Sequence, residues 1–317
     1  MKSFNFRTDM ADDRVDTYKQ VNNLTEIEGI KVESAEEDIL KITTVDVLNE
    51  NGKNAVKKDV GKYVTMEMKE VEYLTDEQKR NVIDALAKQI RLVIGKEVNS
   101  IMIVGLGNAN VTPDALGPKV VSFVNVTRHM LMYAKEYVEP GTKEISAISP
   151  GVLGTTGIET EEIVESVTKF VKPDVLIVID SLASMSMARI GKTIQLGNTG
   201  ITPGAGVGNK RRALNKESLG IDVIAIGVPT VVDMATITNE AIDKLTDSLK
   251  NEATNYMNHG LDKEKIEEIF SLFDRDDRYN MIANALHTDN YIVTPKEIDN
   301  VILKISEIIA SGLNVAL

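Results

Sequence analysis

The sequence predicts an α/β protein built on a parallel sheet, joined to a smaller β-rich N-terminal part. From Asn99 onward, short apolar runs alternate with stretches of helical periodicity. Those runs are apolar throughout, as strands covered on both faces must be. Residues before Asn99 are charge-dense and show two-residue alternation instead.

In the N-terminal part, 30–32, 40–48 and 63–68 lean toward strand. The alternation in KITTVDVL and the turn signal NENGKN predict a meander or hairpin. LTDEQKRNVIDALAKQIRLVIG reads as a helix. Thr75 and Gln78 have capping-box spacing, and Val82, Ile83, Leu86, Ile90 and Val93 form its apolar stripe. SIMIVGLG is the first buried strand, followed by a helix over 118–133 and a strand over 144–148. A Gly/Thr loop, SPGVLGTTGIE, leads into a helix over 159–171, and DVLIVID and DVIAIGVP are further buried strands. Right-handed crossovers connect such units. In the last helix, Thr294 and Glu297 are spaced as a capping box, Pro295 falls in the first turn and Gly312 follows the end. The division expected is a segment 1–9, a hairpin and helix region 10–98 packed on the core, and a compact α/β core 99–317.

Composition narrows the chemistry. The 317 residues are 43% hydrophobic but only 4% aromatic, with no Trp, so the core is aliphatic. A net charge of -12 argues against a nucleic-acid surface. The lack of cysteine excludes disulfides, thiolate zinc sites and a cysteine nucleophile. The first residues, MKSFNFRTDMADDR, contain no apolar signal segment, and no uncharged run approaches the roughly 18 residues that span a bilayer. An intracellular, soluble chain is expected.

In open parallel sheets the working loops lie at the carboxyl ends of the strands. Here they are GNANVTPDALGP, SPGVLGTTG, DSLASMS and PTVVD, rich in Gly, Thr, Ser and Asn, with isolated acids. GLGNAN is not a dinucleotide fingerprint, because Asn110 replaces the third glycine. NTGITPGAGVGNKRR lacks the G-K-[ST] of a P-loop and reads equally as a substrate-facing loop or a solvated turn. His129, His259 and His287 show no zinc-protease spacing, and no G-x-S-x-G elbow surrounds Ser149, Ser181 or Ser184. The remaining Lys and Arg read as solvated faces.

Asp114 lies in the turn just after an apolar strand and Asp180 closes another apolar run, and each alone reads as a helix N-cap. Together, at the ends of neighbouring strands, they form a carboxylate pair: one holds a proton while the other draws a proton from water. That chemistry suits peptide hydrolysis. Asp233 is the reserve acid. Main-chain N–H groups at Gly105, Gly107, Asn108 and Thr112, at Gly151, Gly154 and Thr155, and at Gly206 and Gly208 are the candidates for holding substrate and oxyanion.

GLGNANVTPDALGPKVV, SPGVLGTTGIET, IDSLAS, NTGITPGAGVGNKRRAL and GIDVIAIGVPTVVD resemble the spore germination proteases of endospore-forming Firmicutes. The likeness runs from FRTDMA to the terminal GLNVAL and is weakest over 234–290. It implies a three-layer α/β/α sandwich with a mostly parallel sheet, like that of hydrogenase-maturation endopeptidases. It also implies an atypical aspartic endopeptidase that degrades small acid-soluble spore proteins at germination, with Asp114 and Asp180 catalytic. A homotetramer in the forespore and spore core follows from the same likeness, with no cofactor and no direct contact to nucleic acid or membrane. The family's cleavage pattern, an acid, a bulky apolar residue and Ala, is met at Asp9–Met10–Ala11, so self-cleavage after Asp9 is expected. Two other readings stay open: a peptidase in which these acids with Asp233 or His129 bind a cation, and a non-enzymatic binder of phosphate ligands through the Gly-rich loops.

Overall fold

The computed structural model of the chain describes residues 8–68, 71–202, 212–255, 275–286 and 291–317. Its strands are β1 (Ile30–Glu37), β2 (Leu40–Val47), β3 (Gly61–Met68), β4 (Ser100–Gly105), β5 (Glu144–Ile148), β6 (Val175–Ala183), β7 (Thr193–Gly197), β8 (Asp222–Asp233) and β9 (Ile292–Val293). The helices used below are α1 (Ala11–Asn22), α2 (Glu50–Val56), α3 (Asp76–Ile94), α4 (Leu116–Phe123), α5 (Arg128–Tyr133), α6 (Leu153–Thr156) and α7 (Thr160–Val171). They continue with α8 (Lys216–Leu219), α9 (Met234–Asn255), α10 (Arg275–Leu286) and α11 (Ile298–Ala316).

Among the described residues the strands form one sheet in the order β1-β2-β3-β7-β8-β6-β4-β5, with β9 paired to β8. The parallel sheet expected of the α/β core is β8-β6-β4-β5. The N-terminal strands extend that sheet in antiparallel fashion rather than forming a separate layer. The joint is β7, a five-residue run buried along its whole length and too short to stand out in the sequence.

Apolar side chains on both faces produce three layers. Ile101, Ile103, Ile177 and Ile179 face α3, α4 and α11. Met102, Val104, Leu176 and Val178 face Val164 of α7. Beyond them, α1 and α2 cover Val45, Val47 and Tyr63 on the antiparallel half. The α3 capping box is present, and Val82, Leu86, Ile90 and Val93 are buried as the stripe requires.

Three local expectations are corrected. The helix expected over 118–133 is two, α4 and α5. Thr127 breaks it: its hydroxyl donates to the Lys143 carbonyl and accepts from Ile145 N–H, joining the chain to β5. Thr294 does not cap the last helix, because its hydroxyl donates to the Thr230 carbonyl and the helix begins at Ile298. Gly312 lies inside α11, not after it, where the missing side chain admits Leu86. Residues 11–22, without a strong apolar period, are the ordered helix α1.

At the end of β4, Gly105 and Gly117 of α4 meet backbone to backbone; a Cβ on Gly117 would collide with main-chain atoms of Gly105 and Leu106. Helix propensity alone favours Ala over Gly by about 1 kcal/mol, but overpacking against immovable backbone costs more. Gly117→Ala is expected to lower unfolding free energy by about 2 kcal/mol in urea titration.

Candidate active site

A cavity of about 450 Å³ opens at the carboxyl ends of β4, β6 and β8, and Asp9, Asp114 and Asp180 all line it. Parallel pairing brings the two interior acids to it. Gly105 of β4 is in register with Ile179 of β6, and Leu106 N–H continues the ladder to the Ile179 carbonyl at 2.8 Å. Asp180 is therefore the next residue along β6, beside the turn that leaves β4.

That turn is shaped to return on itself. Gly107 has φ +107, and a Cβ there would collide with the Asp114 carbonyl. Asp114 N–H donates to the Val111 carbonyl, closing a 3-10 turn over Thr112–Asp114. Its carboxylate accepts from Asn108 N–H at 2.8 Å, which fixes it at the cavity wall. Asp114 is thus not the N-cap of α4, a position held by Ala115. Asp180 caps no helix either: it lies within β6, which runs on to Ala183, and its carboxylate accepts from Ser181 N–H. It is 7% exposed.

The floor continues across the sheet. Asp180 pairs with Gly227 of β8, which pairs with Gln195 of β7. Directly opposed residues share a face, so the Asp180 and Gln195 side chains rise on the same side, with Cα atoms roughly 10 Å apart by two strand spacings. Gly227 carries no side chain between them, which leaves room for Leu182.

The N-terminal segment enters this cavity. Asp9 N–H donates to the Ala183 carbonyl at 3.0 Å, and Ala183 N–H returns a bond to the Asp9 carboxylate at 3.0 Å. The Asp9 carbonyl accepts from Lys58 Nζ at 2.5 Å and Gln195 Nε2 at 3.1 Å. Gln195 Oε1 accepts from Ala11 N–H at 2.7 Å. Arg14 donates twice to the Thr8 carbonyl, and Met10 and Ala11 are fully buried. Arg189 binds Asp12, Asp13 and Glu67, tying α1 to β3.

Lys58, Arg14 and Arg189 therefore correct the reading of the basic residues as solvated faces. Lys58 is half-buried and lines the cavity, with its ammonium 5.4 Å from the Tyr63 ring centroid. Burial pushes that ammonium down to about 8, and the nearby Arg14 guanidinium adds to the effect. Burial likewise raises the Tyr63 hydroxyl to about 12. No motif marks Lys58 or Gln195; the one sequence signal was an isolated Gln in the apolar run TIQLG.

Other candidates serve different ends. Asp233 accepts from Ala235 and Thr236 N–H and from the Tyr279 hydroxyl, so it caps α9 away from the cavity lining. Gly105 serves helix packing. Thr155 spends its hydroxyl on the Val152 carbonyl in its own turn, beside an exposed Gly154. The Gly151 carbonyl accepts from Thr160, which lines the cavity. Gly107 also lines it, whereas Asn108 and Thr112 shape the Asp114 turn from behind. His129 is exposed on α5, and Gly206, Gly208, His259 and His287 lie outside the described residues. Among the described residues no helix is long and apolar enough to cross a membrane.

Acids and a bound chain segment at the carboxyl ends of parallel strands define an α/β enzyme working in a strand-end cleft. The profile of the family described as germination protease matches residues 7–261. A germination protease of Clostridium tetani is 42% identical over 315 residues, covering 98% of this chain and 95% of its own. One of Priestia megaterium is 38% identical over 354 residues, covering 100% and 95%. The solved structure of a NiFe hydrogenase maturation protease from Thermococcus kodakarensis is similar over 45% of this chain and 80% of its own, at 22% identity and a TM-score of 0.31. The chain belongs to the germination protease family and is a peptidase of spore germination.

Two outcomes follow from the geometry. Asp233→Ala is expected to cost about 1 kcal/mol of stability through loss of a cap, with faster amide exchange in the first turn of α9 and peptidase activity retained. The native Lys58 ammonium releases its proton near pH 8 and an unfolded lysine near 10.5. Between those values the unfolded chain binds more protons, so stability gained from this group rises with pH. In denaturation at pH 8 and pH 10, wild type should gain on Lys58→Met as the pH rises; a constant difference would contradict the enclosed charge.

Proposed function

We propose that this chain is a self-processing aspartic endopeptidase that degrades small acid-soluble spore proteins at germination. The observation that carries the reading is that Asp114, Asp180 and Asp9 line one cavity. In the proposed reaction the two interior acids share one proton. The ionised carboxylate takes a proton from water as its oxygen bonds to the carbonyl carbon. The protonated partner then supplies the leaving amine as the C–N bond breaks. Water is consumed, and a carboxyl and an amine end are formed.

For the chain's own processing the bond cut is Asp9–Met10, which releases residues 1–9. The acid, bulky apolar, Ala pattern is met there, and Asp9 is anchored at Ala183 inside the cavity. Spore proteins would present the same pattern in trans. The chain's acidity supports an enzyme that works beside DNA-coating substrates without itself holding DNA. Assembly as a homotetramer and residence in the forespore and spore core rest on the family resemblance.

The test is Asp114→Asn and Asp180→Asn, made separately in the full chain. Mass spectrometry of the N-terminus and cleavage of a purified spore protein should both show losses of at least about 100-fold. Cleavage at the wild-type rate by either variant would end the two-acid reading.

A further inference from the structure

We propose that Lys58 and Gln195 are the oxyanion donors for the Asp9–Met10 bond, two catalytic side chains already seated on its carbonyl oxygen. This rests on the reading that the chain cuts itself after Asp9 with Asp114 and Asp180.

The contacts converge on one peptide. Lys58 lies between α2 and β3, and Gln195 on β7, yet both donate to the Asp9 carbonyl, at 2.5 and 3.1 Å. Gln195 also accepts from Ala11 N–H at 2.7 Å, so its amide clamps the chain on either side of Met10. Met10 N–H, the nitrogen that leaves in the proposed cleavage, donates to the Thr8 hydroxyl at 3.1 Å. Arg14 holds the preceding carbonyl, and Ala183 holds Asp9 by its N–H and carboxylate. The peptide is fixed on both sides, with its oxygen turned toward an ammonium and an amide.

Anchoring alone explains this poorly. Enclosing an ammonium is costly, and a neutral carbonyl returns little of that cost. The Asp9, Asp59 and Asp12 carboxylates favour the charge, Asp59 while also paired to Lys53 at 3.0 Å, but together they do not offset the burial. The lowered ammonium affinity for its proton, caused first by burial, reports the same imbalance in the uncut chain. When water adds to the carbonyl carbon, its oxygen takes a full negative charge. Lys58 and Gln195 then stabilise that state more than the starting one, which is the requirement for catalysis. Among the described residues expected to supply this function through main-chain N–H groups, Asn108 N–H donates to the Asp114 carboxylate.

The experiment follows release of residues 1–9 from the full chain by mass spectrometry, at two protein concentrations to establish a first-order process. Lys58→Met removes one donor. Gln195→Glu removes the other while keeping an acceptor for Ala11 N–H. Each is expected to slow release by about 100-fold or more, and Lys58→Arg to recover at least tenfold over Lys58→Met. Hydrogen exchange at Met10 and Ala11 is measured alongside. Slow release with those amides still protected supports the proposal; slow release with freely exchanging amides reduces both residues to anchors and overturns it. Wild-type release by Lys58→Met and Gln195→Glu, with Asp114→Asn inactive, overturns the oxyanion role and leaves the peptidase reading intact. Normal release by Asp114→Asn removes the underlying reading instead. Should Lys58→Met fail to fold by circular dichroism, Gln195→Glu decides alone.

Discussion

The register between β4 and β6 is the constraint on which the site depends. Because Gly105 pairs with Ile179 and Leu106 adds one further ladder bond, β4 ends while β6 continues. The chain leaving β4 must turn beside Asp180, and Gly107 lets it fold back so that Asp114 arrives at the same opening. A one-residue slip would send the Asp180 side chain to the opposite face, among the helices α3 and α11. The apolar strands thus position the acids: the register is held by buried Ile and Val on both faces, and Asp180 and the turn that carries Asp114 meet where β4 ends.

The second organising fact is that the sheet does not end with its parallel half. Joined through β7, the N-terminal strands bring Gln195 level with Asp180, two strands away on the same face. They also bring Lys58 to the cavity and provide the surface on which α1 sits. The segment around Asp9 is consequently held by groups from both halves: Ala183 from the parallel strands, Lys58 and Gln195 from the antiparallel ones.

The sequence made much of this legible. Runs such as DVLIVID are apolar throughout because they are buried on both faces, and the α3 capping box and stripe are local signals that tertiary structure did not override. Asp114 and Asp180 stood out as lone acids in apolar surroundings. What escaped notice was decided by distant partners. Thr127 reads as helix until Ile145 and Lys143 claim it; Thr294 reads as a cap until the Thr230 carbonyl does. Lys58 sits in a charged run resembling any solvated turn, and only the fold shows that its ammonium is enclosed. Asp233 looked like a third acid at a strand end and proved to be a helix cap, the bland reading that nearly applied to the other two.

The central claim is that Asp114 and Asp180 act through one shared proton and one water. Neutron diffraction from crystals of the full chain would test it most directly. The account predicts a single deuteron between the two carboxyl groups and one water within hydrogen-bond reach of both, which requires oxygens no more than about 5.5 Å apart. Carboxylates both deuteron-free, or too far apart for one water to touch both, would contradict it.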